Sequence, residues 1–384
     1  MIEIITKMNE LANEKASICT IKNVDLKKLL GRSCVDLNIN KKSDYLKNKT
    51  VLVTGAGGSI GSELCRQILN FSPKIILLLG HGENSIFEIV FELKDMESDI
   101  ELIPIIANIQ DKERVEQIFD TYKPHVVFHA AAHKHVPLME LNPLEAVKNN
   151  VLGSRNIIHA AHIHETERFV LISTDKAVNP TSVMGVTKRI AEMIVQGYGS
   201  ISKTKFASVR FGNVLGSRGS VISIFKKQIE KGGPVTVTHP EMVRFFMTIP
   251  EAVQLVIQAG ALVYSGNLFF LDMGKPVKIV DLVKDLIKLS GIQPIDKVKI
   301  IYTGIRPGEK LYEEILTSEE GLLTTRYEKI YVVKSSSISL EKIDIIITTL
   351  VNMIRENKKN SGGERMKYIL KEIVPSYTWN ICSG

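Results

Sequence analysis

The chain has 384 residues, enough to bury a large core in one or two domains. Hydrophobic residues at 44% and charged residues at 24% are ordinary values for a soluble protein. The net charge of +7 is explained better by a lysine-rich solvated surface than by an anionic substrate, and no basic run interleaved with aromatic residues indicates a nucleic-acid-binding protein.

No targeting or membrane segment is predicted. No apolar run approaches the roughly 20 residues that a membrane helix needs. The N-terminus MIEIITKMNELANEK carries acidic residues and lacks the apolar core of a secretory signal. The cysteines have no CxxC spacing and are typical of reduced thiols in a cytoplasmic protein; they are Cys19, Cys34, Cys65 and Cys382.

Residues 1–48 are predicted to form an N-terminal helical arm. They contain two short amphipathic patterns, IEIITKMNELANEK and VDLKKLLGR, followed by the polar segment SDYLKNK. The arm is too short for a core of its own. We therefore expect it to pack on the main body or to reach a neighbouring subunit, so that the protein forms a homo-oligomer.

The stretch TVLVTGAGGSIG, residues 50–61, predicts a strand, a tight glycine turn and the start of a helix. These are the parts of a dinucleotide-binding unit, here with the spacing GxxGxxG. Glycines let the backbone approach a pyrophosphate, and the first amide groups of the helix then face that anion. The glycines of this loop are Gly55, Gly57, Gly58 and Gly61.

Strands and helices alternate between residues 50 and 213. Apolar runs typical of strands buried on both faces occupy 74–79, 102–109, 124–131, 168–174 and 205–213. Among the helical patterns between them, one has Asp111 as its predicted N-cap and another has Pro143 in its first turn. The alternation predicts an α/β fold with a Rossmann-type, doubly wound parallel sheet, in which residues 49–213 form an NAD(P)-binding domain.

The regular alternation of strands and helices ends after residue 213. Beyond it, short strands mix with helices near 250–263, 279–290, 339–356 and 363–373. We interpret residues 214–384 as mainly a smaller α/β lobe that binds substrate and ends in C-terminal helices. The loops at 216–220 and 305–310 belong to this lobe, which we expect to cover one side of the sheet.

Polar residues follow several of the predicted strands, where an open parallel sheet binds its ligands. The segment 130–140 follows the fourth strand, Ser173-Thr174-Asp175-Lys176 the fifth, and Gly212-Asn213 the sixth. Further on, Met184 and Lys188 share one helix face. His133 and His135 flank Lys134 without a third ligand, so no metal site is predicted.

The glycine loop, the strand-ending STDK and the MxxxK of residues 184–188 resemble an extended short-chain dehydrogenase/reductase. TDKAVNP and RFGNVLGSRGSV resemble, more narrowly, the bacterial UDP-N-acetylglucosamine 4,6-dehydratases of polysaccharide biosynthesis. The resemblance covers about residues 25–335. Many relatives carry an N-terminal membrane region, and this chain is expected to correspond to their soluble catalytic part.

The resemblance implies a reaction and its residues. A dehydratase of this kind oxidises C4, eliminates water across C5 and C6, and returns hydride to C6. Asp175 matches the acid and Lys176 the C5 base, and Lys188 is the candidate cation that lowers the pKa of Lys176. Met184 occupies the place of the catalytic tyrosine, so Asp175, acting through Thr174 or a water, is expected to take the C4 hydroxyl proton.

The implied cofactor is a tightly held nicotinamide dinucleotide that is recycled in each turnover. NAD and NADP stay open, because Gly80-His81-Gly82 offers neither the carboxylate of an NAD site nor an arginine for a 2′-phosphate. Asn108 stands where the family usually has an adenine-contacting aspartate. The predicted cofactor contacts are Gly55, Gly57, Gly58, Ser59, Ile60, Gly61, His81, Asn108, Ile109, Ala130, Ala131 and Lys188.

The implied substrate is a UDP-sugar. Guanidinium groups suit its diphosphate, which makes Arg218, Arg244 and Arg306 candidates. The segment RPGEK resembles the family's nucleotide loop. The full predicted set of substrate contacts is Lys134, Asn213, Arg218, Arg244, Arg306 and Glu309.

Two other functions remain open. A UDP-sugar 4-epimerase has the same fold, but Met184 and Asp175-Lys176 argue against it. A non-catalytic nucleotide-binding scaffold would explain the loss of the tyrosine, but the presence of Asp175, Lys176 and Lys188 opposes it.

Overall fold

The structure is a computed structural model that describes residues 44–96, 99–291, 298–334, 338–356 and 362–379. In these residues the strands are β1 (Thr50–Thr54), β2 (Ile75–Gly80), β3 (Glu101–Ile106), β4 (Val126–His129), β5 (Arg168–Ile172), β6 (Lys205–Arg210), β7 (Asn213–Leu215), β8 (Val235–Val237), β9 (Val243–Arg244), β10 (Phe246–Thr248), β11 (Asn267–Leu271), β12 (Val277–Lys278), β13 (Ile300–Tyr302), β14 (Gly321–Thr324) and β15 (Ile330–Lys334). The α-helices are α1 (Ser59–Leu69), α2 (Glu83–Lys94), α3 (Lys112–Tyr122), α4 (Val136–Leu141), α5 (Pro143–Val147), α6 (Ser154–Ile163), α7 (Val183–Gly199), α8 (Val221–Glu230), α9 (Ile249–Leu262), α10 (Ile279–Leu289), α11 (Leu340–Glu356) and α12 (Gly362–Ile373).

One large sheet organises the fold, with strands in the order β14-β15-β11-β6-β5-β4-β1-β2-β3. From β3 to β11 the neighbours are parallel; β15 runs antiparallel to β11, and β14 antiparallel to β15. The strand order reverses between β1 and β4, the switch point at which an open sheet binds ligands. The predicted α/β fold with a Rossmann-type, doubly wound parallel sheet is confirmed.

Helices cover both faces of this sheet because its central strands are apolar on both sides. All five residues of β1 are buried. Leu52 belongs to the core cluster under α3, α6 and α7, whereas Val51 and Val53 belong to the cluster under α1, α2 and α9. Successive side chains of a strand point to opposite faces, so a continuous apolar run requires a helical layer on each side.

A smaller α/β lobe has a core cluster of its own, which includes Phe225 of α8 and Leu286 of α10. Its short strands pair as β8 with β13, β9 with β12 and β7 with β10. Residues beyond 213 also return to the large sheet as β11, β15 and β14. The boundaries 49–213 and 214–384 therefore remain predictions about domains that share one sheet.

Some elements match the sequence prediction and others differ from it. Asp111 caps α3, since its side chain accepts the Arg114 amide at 3.0 Å, and Pro143 lies in the first turn of α5. The α2 segment is helical although no helix is predicted there, because the exposed Phe87 and Phe91 obscure the apolar stripe. The helical pattern after Pro143 contains a π-helical turn, Lys148–Gly153, which apolar spacing alone does not reveal.

The two ends of the chain are described in part. The predicted N-terminal arm falls almost wholly on residues 1–43, outside the described residues, as do Cys19, Cys34 and Cys382. Cys65 is a buried free thiol. At the other end α11 and α12 pack against α7. No helix within the described ranges has both the length and the apolar composition needed to cross a membrane.

Candidate active site

The glycine loop between β1 and α1 packs directly on the end of β4. Gly55 has φ +67°, and a Cβ on it would lie 2.8 Å from the Ala131 amide nitrogen. The N-cap of α1 is Gly58, which has no side chain to satisfy the first amide groups of the helix. A side chain on Gly61 would collide with the Gly55 carbonyl. This glycine cradle and its open amides fit the pyrophosphate of a dinucleotide.

A buried histidine that the sequence analysis does not single out fixes the strands below this loop. His129 Nδ1 lies 2.6 Å from Thr54 Oγ1, and its Nε2 lies 2.9 Å from Ser154 Oγ. Burial, with Lys188 adding to the effect, lowers the pKa of His129 to about 3, so the imidazole is neutral at physiological pH. Thr54 Oγ1 also accepts the Ala131 amide at 3.3 Å. This network joins β1, β4 and α6 at the switch point.

The other predicted cofactor residues lie at the carboxyl ends of β2, β3 and β4. His81 follows β2 and is exposed, as is Asn108 after β3, whose side chain accepts the Gln110 amide at 3.0 Å. Ile109 is 4% exposed and packs against Gly153. Ala130, like Ala131, is half-buried after β4. The order of the sheet thus places all of them along the edge that carries the glycine loop.

The buried Asp175 and the half-buried Lys176 form a pair at the carboxyl end of β5. The Asp175 side chain is 2% exposed, and its Oδ1 accepts both Thr174 Oγ1 and Lys176 Nζ at 2.9 Å. Lys176 Nζ also donates to Asn213 Oδ1 at 3.2 Å. Among the described residues, Asp175 Oδ2 has no hydrogen-bond partner although it is buried. A buried carboxylate oxygen left open in this way can receive a hydroxyl group of a ligand.

Two charged side chains from the smaller lobe complete this cluster. Glu313, which the sequence analysis misses, is 3% exposed and lies 3.4 Å from Lys176 Nζ and 3.4 Å from Arg244 Nε. Burial opposes the charge on Lys176, but Asp175 and Glu313 together raise the pKa of its ammonium group. The expectation that the pKa of Lys176 is lowered is therefore wrong for this arrangement, and the cation beside it is Arg244 instead of Lys188.

Lys188 and Met184 lie on α7 as expected, one turn apart. Lys188 Nζ donates to the Ile172 carbonyl at 2.7 Å, and burial lowers the pKa of its ammonium group to about 8 although Glu192 opposes the shift. The Met184 side chain is 4% exposed. Ser182 caps the helix by accepting the Gly185 amide at 3.0 Å. The helix thus presents a lysine with a weakened hold on its proton and a methionine that cannot transfer one.

The three arginines predicted for the diphosphate are not brought together. Arg244 donates to the backbone carbonyls of Val243, Lys310 and Leu311, so its guanidinium is already satisfied and supports Glu313. Arg306 is exposed beside Glu309, with Nε and Oε1 3.7 Å apart. Arg218 reaches the glycine loop instead, where its Nη1 donates to the Gly57 carbonyl at 3.0 Å. The three arginines therefore do not act together on one diphosphate, and the role of each is considered separately.

Loops from several elements are tied to α7. Asn150, in the π-helical turn, bonds both backbone groups of His133 and donates to Thr187 Oγ1 at 3.1 Å. Thr181 Oγ1 donates to the Gly308 carbonyl at 3.1 Å. The loop with Lys134 and the RPGEK loop are thereby held against the same helix. Among the described residues, no group of three or more His, Cys, Asp or Glu side chains is arranged to hold a metal ion.

Comparisons with known proteins show the family of this chain. A family model described as polysaccharide biosynthesis protein matches residues 51–335. The capsular polysaccharide biosynthesis protein CapD of Staphylococcus aureus is 55% identical over 91% of this chain and 59% of that protein. The UDP-N-acetylglucosamine 4,6-dehydratase (inverting) of Campylobacter jejuni is 34% identical over 75% of this chain and 83% of that protein. A UDP-glucose 4-epimerase of Rickettsia bellii is 34% identical over 71% of this chain and 79% of that protein.

Solved structures share the fold. Pen from Bacillus thuringiensis is 32% identical, with a TM-score of 0.70 over 80% of this chain and 98% of that chain. The UDP-glucose 4-epimerase of Thermus thermophilus, solved in complex with NAD, is 23% identical, with a TM-score of 0.60 over 70% of this chain and 90% of that chain. The chain spans little more than half of the length of CapD, 59%, so the comparison with CapD covers only part of that protein.

Proposed function

The chain belongs to the polysaccharide biosynthesis protein family, and on that basis we propose that it is a nucleotide-sugar 4,6-dehydratase. It acts on UDP-N-acetylglucosamine with a recycled NAD or NADP and forms a UDP-4-keto-6-deoxy-N-acetylhexosamine. The Campylobacter jejuni relative, named for this dehydration, supports the reaction, and CapD, named for capsular polysaccharide biosynthesis, supports its use in making a polysaccharide.

The pair formed by the half-buried Lys176 and the buried Asp175 is the observation that carries this proposal. Elimination of water across C5 and C6 needs one group that protonates the leaving hydroxyl and another that removes the C5 proton. Asp175 and Lys176 are adjacent in the chain, lie at the edge of the sheet where parallel sheets bind ligands, and form an ion pair with Nζ and Oδ1 2.9 Å apart. An epimerase needs no such pair, because no water leaves its substrate.

One proton can prepare both groups. In the ion pair it resides on Lys176, whose pKa is raised. Its transfer from Nζ to Asp175 Oδ1 leaves a neutral lysine, which is a base, and a protonated aspartic acid. Exclusion of water by the bound sugar favours this neutral form, because burial penalises both charges. Lys176 then takes the C5 proton and later returns it, while Asp175 protonates the departing C6 hydroxyl.

The surrounding residues bind and orient the reactants. A bound nicotinamide dinucleotide supplies the hydride acceptor and donor of the reaction. The glycine loop holds its pyrophosphate, and Lys188, fixed on the Ile172 carbonyl, holds the adjoining ribose. Oxidation at C4 also releases the C4 hydroxyl proton. Because Asp175 already holds the proton from Lys176, this proton does not go to Asp175 as expected; it leaves to solvent through a water and the Thr174 hydroxyl, which donates to Asp175 at 2.9 Å. A proton from solvent restores the Asp175–Lys176 ion pair after turnover. Met184 packs against the reactants and transfers no proton.

The sugar nucleotide lies between the sheet edge and the smaller lobe. Asn213, which bonds Lys176, and Lys134, whose pKa is lowered by partial burial, are assigned to the sugar side. Arg306 and Glu309 remain assigned to the UDP side, since both belong to the RPGEK loop that Thr181 ties to α7. Arg244 acts on the site through Glu313.

Incubation with UDP-N-acetylglucosamine, followed by mass spectrometry and NMR of the sugar nucleotide, tests the proposal. We expect the product to have lost the mass of one water and to carry a C4 ketone. An unchanged mass with inverted C4 stereochemistry would establish an epimerase activity, the alternative that the Rickettsia bellii relative, named as an epimerase, supports. Binding without any conversion would establish a scaffold.

A further inference from the structure

A short loop, residues 216–220, reaches from the smaller lobe to the glycine loop, and we name it the strap. It connects β7 to α8 and has φ +74° at Gly216 and φ +67° at Gly219, so both bends depend on glycine. The Ser220 amide donates to the Ser217 carbonyl at 2.9 Å and closes the turn between them. The strap is thus a defined turn.

The strap contacts the loops on both sides of the switch point. The Arg218 amide donates to Ser59 Oγ at 3.0 Å, and Arg218 Nη1 donates to the Gly57 carbonyl at 3.0 Å. On the other side, Lys134 Nζ donates to Ser217 Oγ at 3.4 Å. A Cβ on Gly219 would lie 2.6 Å from the His135 ring. The strap therefore crosses the place where a dinucleotide enters a sheet of this order.

The acidic partner of Arg218 does not explain why an arginine occupies this position. Arg218 Nη2 lies 3.1 Å from Glu88, but both side chains are 65% exposed. Ion pairs this exposed contribute little to stability. A guanidinium group binds phosphate oxygens more strongly, through two parallel charge-assisted hydrogen bonds. Arg218 already contacts the residues that start α1, where a pyrophosphate is expected.

We propose that Arg218 binds the pyrophosphate of the nicotinamide cofactor, instead of the diphosphate of the sugar nucleotide, and that the strap retains the cofactor during turnover. This assignment rests on the proposed function, because a hydride that leaves the sugar and returns to it requires the same cofactor molecule to stay in place. The smaller lobe thereby takes part in holding the cofactor as well as the sugar.

Arg218→Gln tests this assignment, and Arg365→Gln is its matched control. Arg365 has the same 65% exposure and pairs with the exposed Glu356 at 3.5 Å, far from the glycine loop in the chain. The holoprotein is passed through gel filtration and its bound nicotinamide nucleotide is counted per chain. The rate of cofactor release is followed by the fluorescence of the reduced form, and UDP affinity is measured by calorimetry.

We expect Arg218→Gln to release the cofactor at least about 10-fold faster, the effect of losing one charge-assisted phosphate contact, with UDP affinity unchanged. Arg365→Gln should behave as wild type, and Arg218→Lys, which keeps the charge without the fork, should be intermediate. An unchanged rate of cofactor release together with weaker UDP binding would mean that Arg218 binds the diphosphate of the sugar nucleotide. Unchanged release and unchanged UDP binding would leave only a surface ion pair, and either result overturns the proposal.

Both readouts are independent of turnover. Failure to dehydrate UDP-N-acetylglucosamine while Arg218→Gln loses its cofactor would therefore count against the proposed function and leave the role of Arg218 standing.

Discussion

Lys176 is surrounded by more acidic groups than its neighbours in the chain indicate. Asp175 and Glu313 lie 2.9 Å and 3.4 Å from its Nζ and raise the pKa of the ammonium group. A lysine in this state is an acid at rest and becomes a base only after its proton moves. The adjacent Asp175 Oδ1 is the nearest acceptor, and the same transfer creates the acid that the elimination requires.

Substitution of either Asp175 or Lys176 should prevent the proton transfer between the two side chains. We expect Asp175→Asn and Lys176→Ala each to lower kcat at least about 100-fold while the protein remains folded, the usual scale for a general acid or base. The control is Lys203→Ala, at a side chain that is 81% exposed. A kcat near that of wild type in either variant would remove that residue from the mechanism.

Met184 should contribute packing alone. We expect Met184→Ala to retain substantial turnover, because the loss of a packing contact costs roughly 1–3 kcal/mol, or about one to two decades in rate. Met184→Tyr should be tolerated or mildly harmful, since it adds a proton donor to a site in which other residues already transfer the protons. Turnover of UDP-N-acetylglucosamine by the three proteins decides the matter; activity of the tyrosine variant alone would mean that the native chain is a scaffold.

Lys188 should make the free energy of unfolding depend on pH in the alkaline range. Burial lowers its pKa from 10.5 to about 8, so between these values the unfolded chain binds the proton and the folded chain does not. The contribution of Lys188 to the free energy of unfolding therefore rises with pH between about 8 and about 10.5. Below pH 8 this contribution is unfavourable and does not change with pH. We expect the free energy of urea unfolding, compared at pH 7.5 and 9.5, to rise more in wild type than in Lys188→Met. Equal changes in the two proteins would show that Lys188 titrates normally.

The helix α7 is anchored by a buried ion network as well as by apolar packing. Glu192 pairs with Arg210 of β6 at 2.8 Å and accepts Ser173 Oγ at 2.6 Å, and Arg210 pairs with Glu320 at 2.8 Å. Burial alone would raise the pKa of Glu192, but Arg210 lowers it more strongly. The network ties the helix with Met184 to the end of β5, directly before the reacting pair.

Removal of the central cation should destabilise the fold. We expect Arg210→Met to cost about 3–5 kcal/mol at pH 7, because it leaves the buried Glu192 and Glu320 with only the partly exposed Arg189 as a cation. The loss should shrink at acidic pH, where the Glu192 carboxyl group, whose burial favours the neutral form once Arg210 is removed, can be protonated. Urea unfolding at pH 7 and pH 5 measures this, with Arg66→Met, in a half-exposed pair with Glu92, as the control. A cost similar to that of the control at pH 7 would contradict the anchoring role.

The C-terminal helices extend the fold beyond residues 51–335, the part that matches the family model. Leu350 of α11, Met366 of α12 and the following Tyr377 are fully buried in the same cluster as α7. Lys367 pairs at 2.8 Å with Glu140, whose side chain also accepts the Val183 amide at the start of α7. These helices therefore shield and orient the helix of the candidate active site.

Deletion of residues 338–384 should consequently expose the outer face of α7. Each fully buried large apolar side chain contributes about 1.5–3 kcal/mol, and a typical protein has only about 5–15 kcal/mol in total, so we expect the shortened chain to be insoluble or to melt far below the full chain. Soluble yield and thermal unfolding measure this. An unchanged melting temperature would mean that residues 338–379 are dispensable for the fold.

The assembly through residues 1–48 and the cytoplasmic location were argued from composition and pattern, and most of that segment lies outside the described residues. The site roles of the glycine loop and of the STDK and RPGEK segments likewise remain proposals, although the fold places the first two at one edge of the sheet.

Local patterns were sufficient to predict the parallel sheet, the glycine loop and the neighbouring Asp175 and Lys176, because apolar runs, turn glycines and strand ends leave their mark within a few residues of the chain. The charge on Lys176 was visible only in the folded protein. It depends on Glu313, and Glu313 in turn on Arg244; these residues are far apart in sequence and have no characteristic spacing. Coulomb interactions act through space and are strongest where water is excluded, so the fold decides which of these charges meet and where the proton rests.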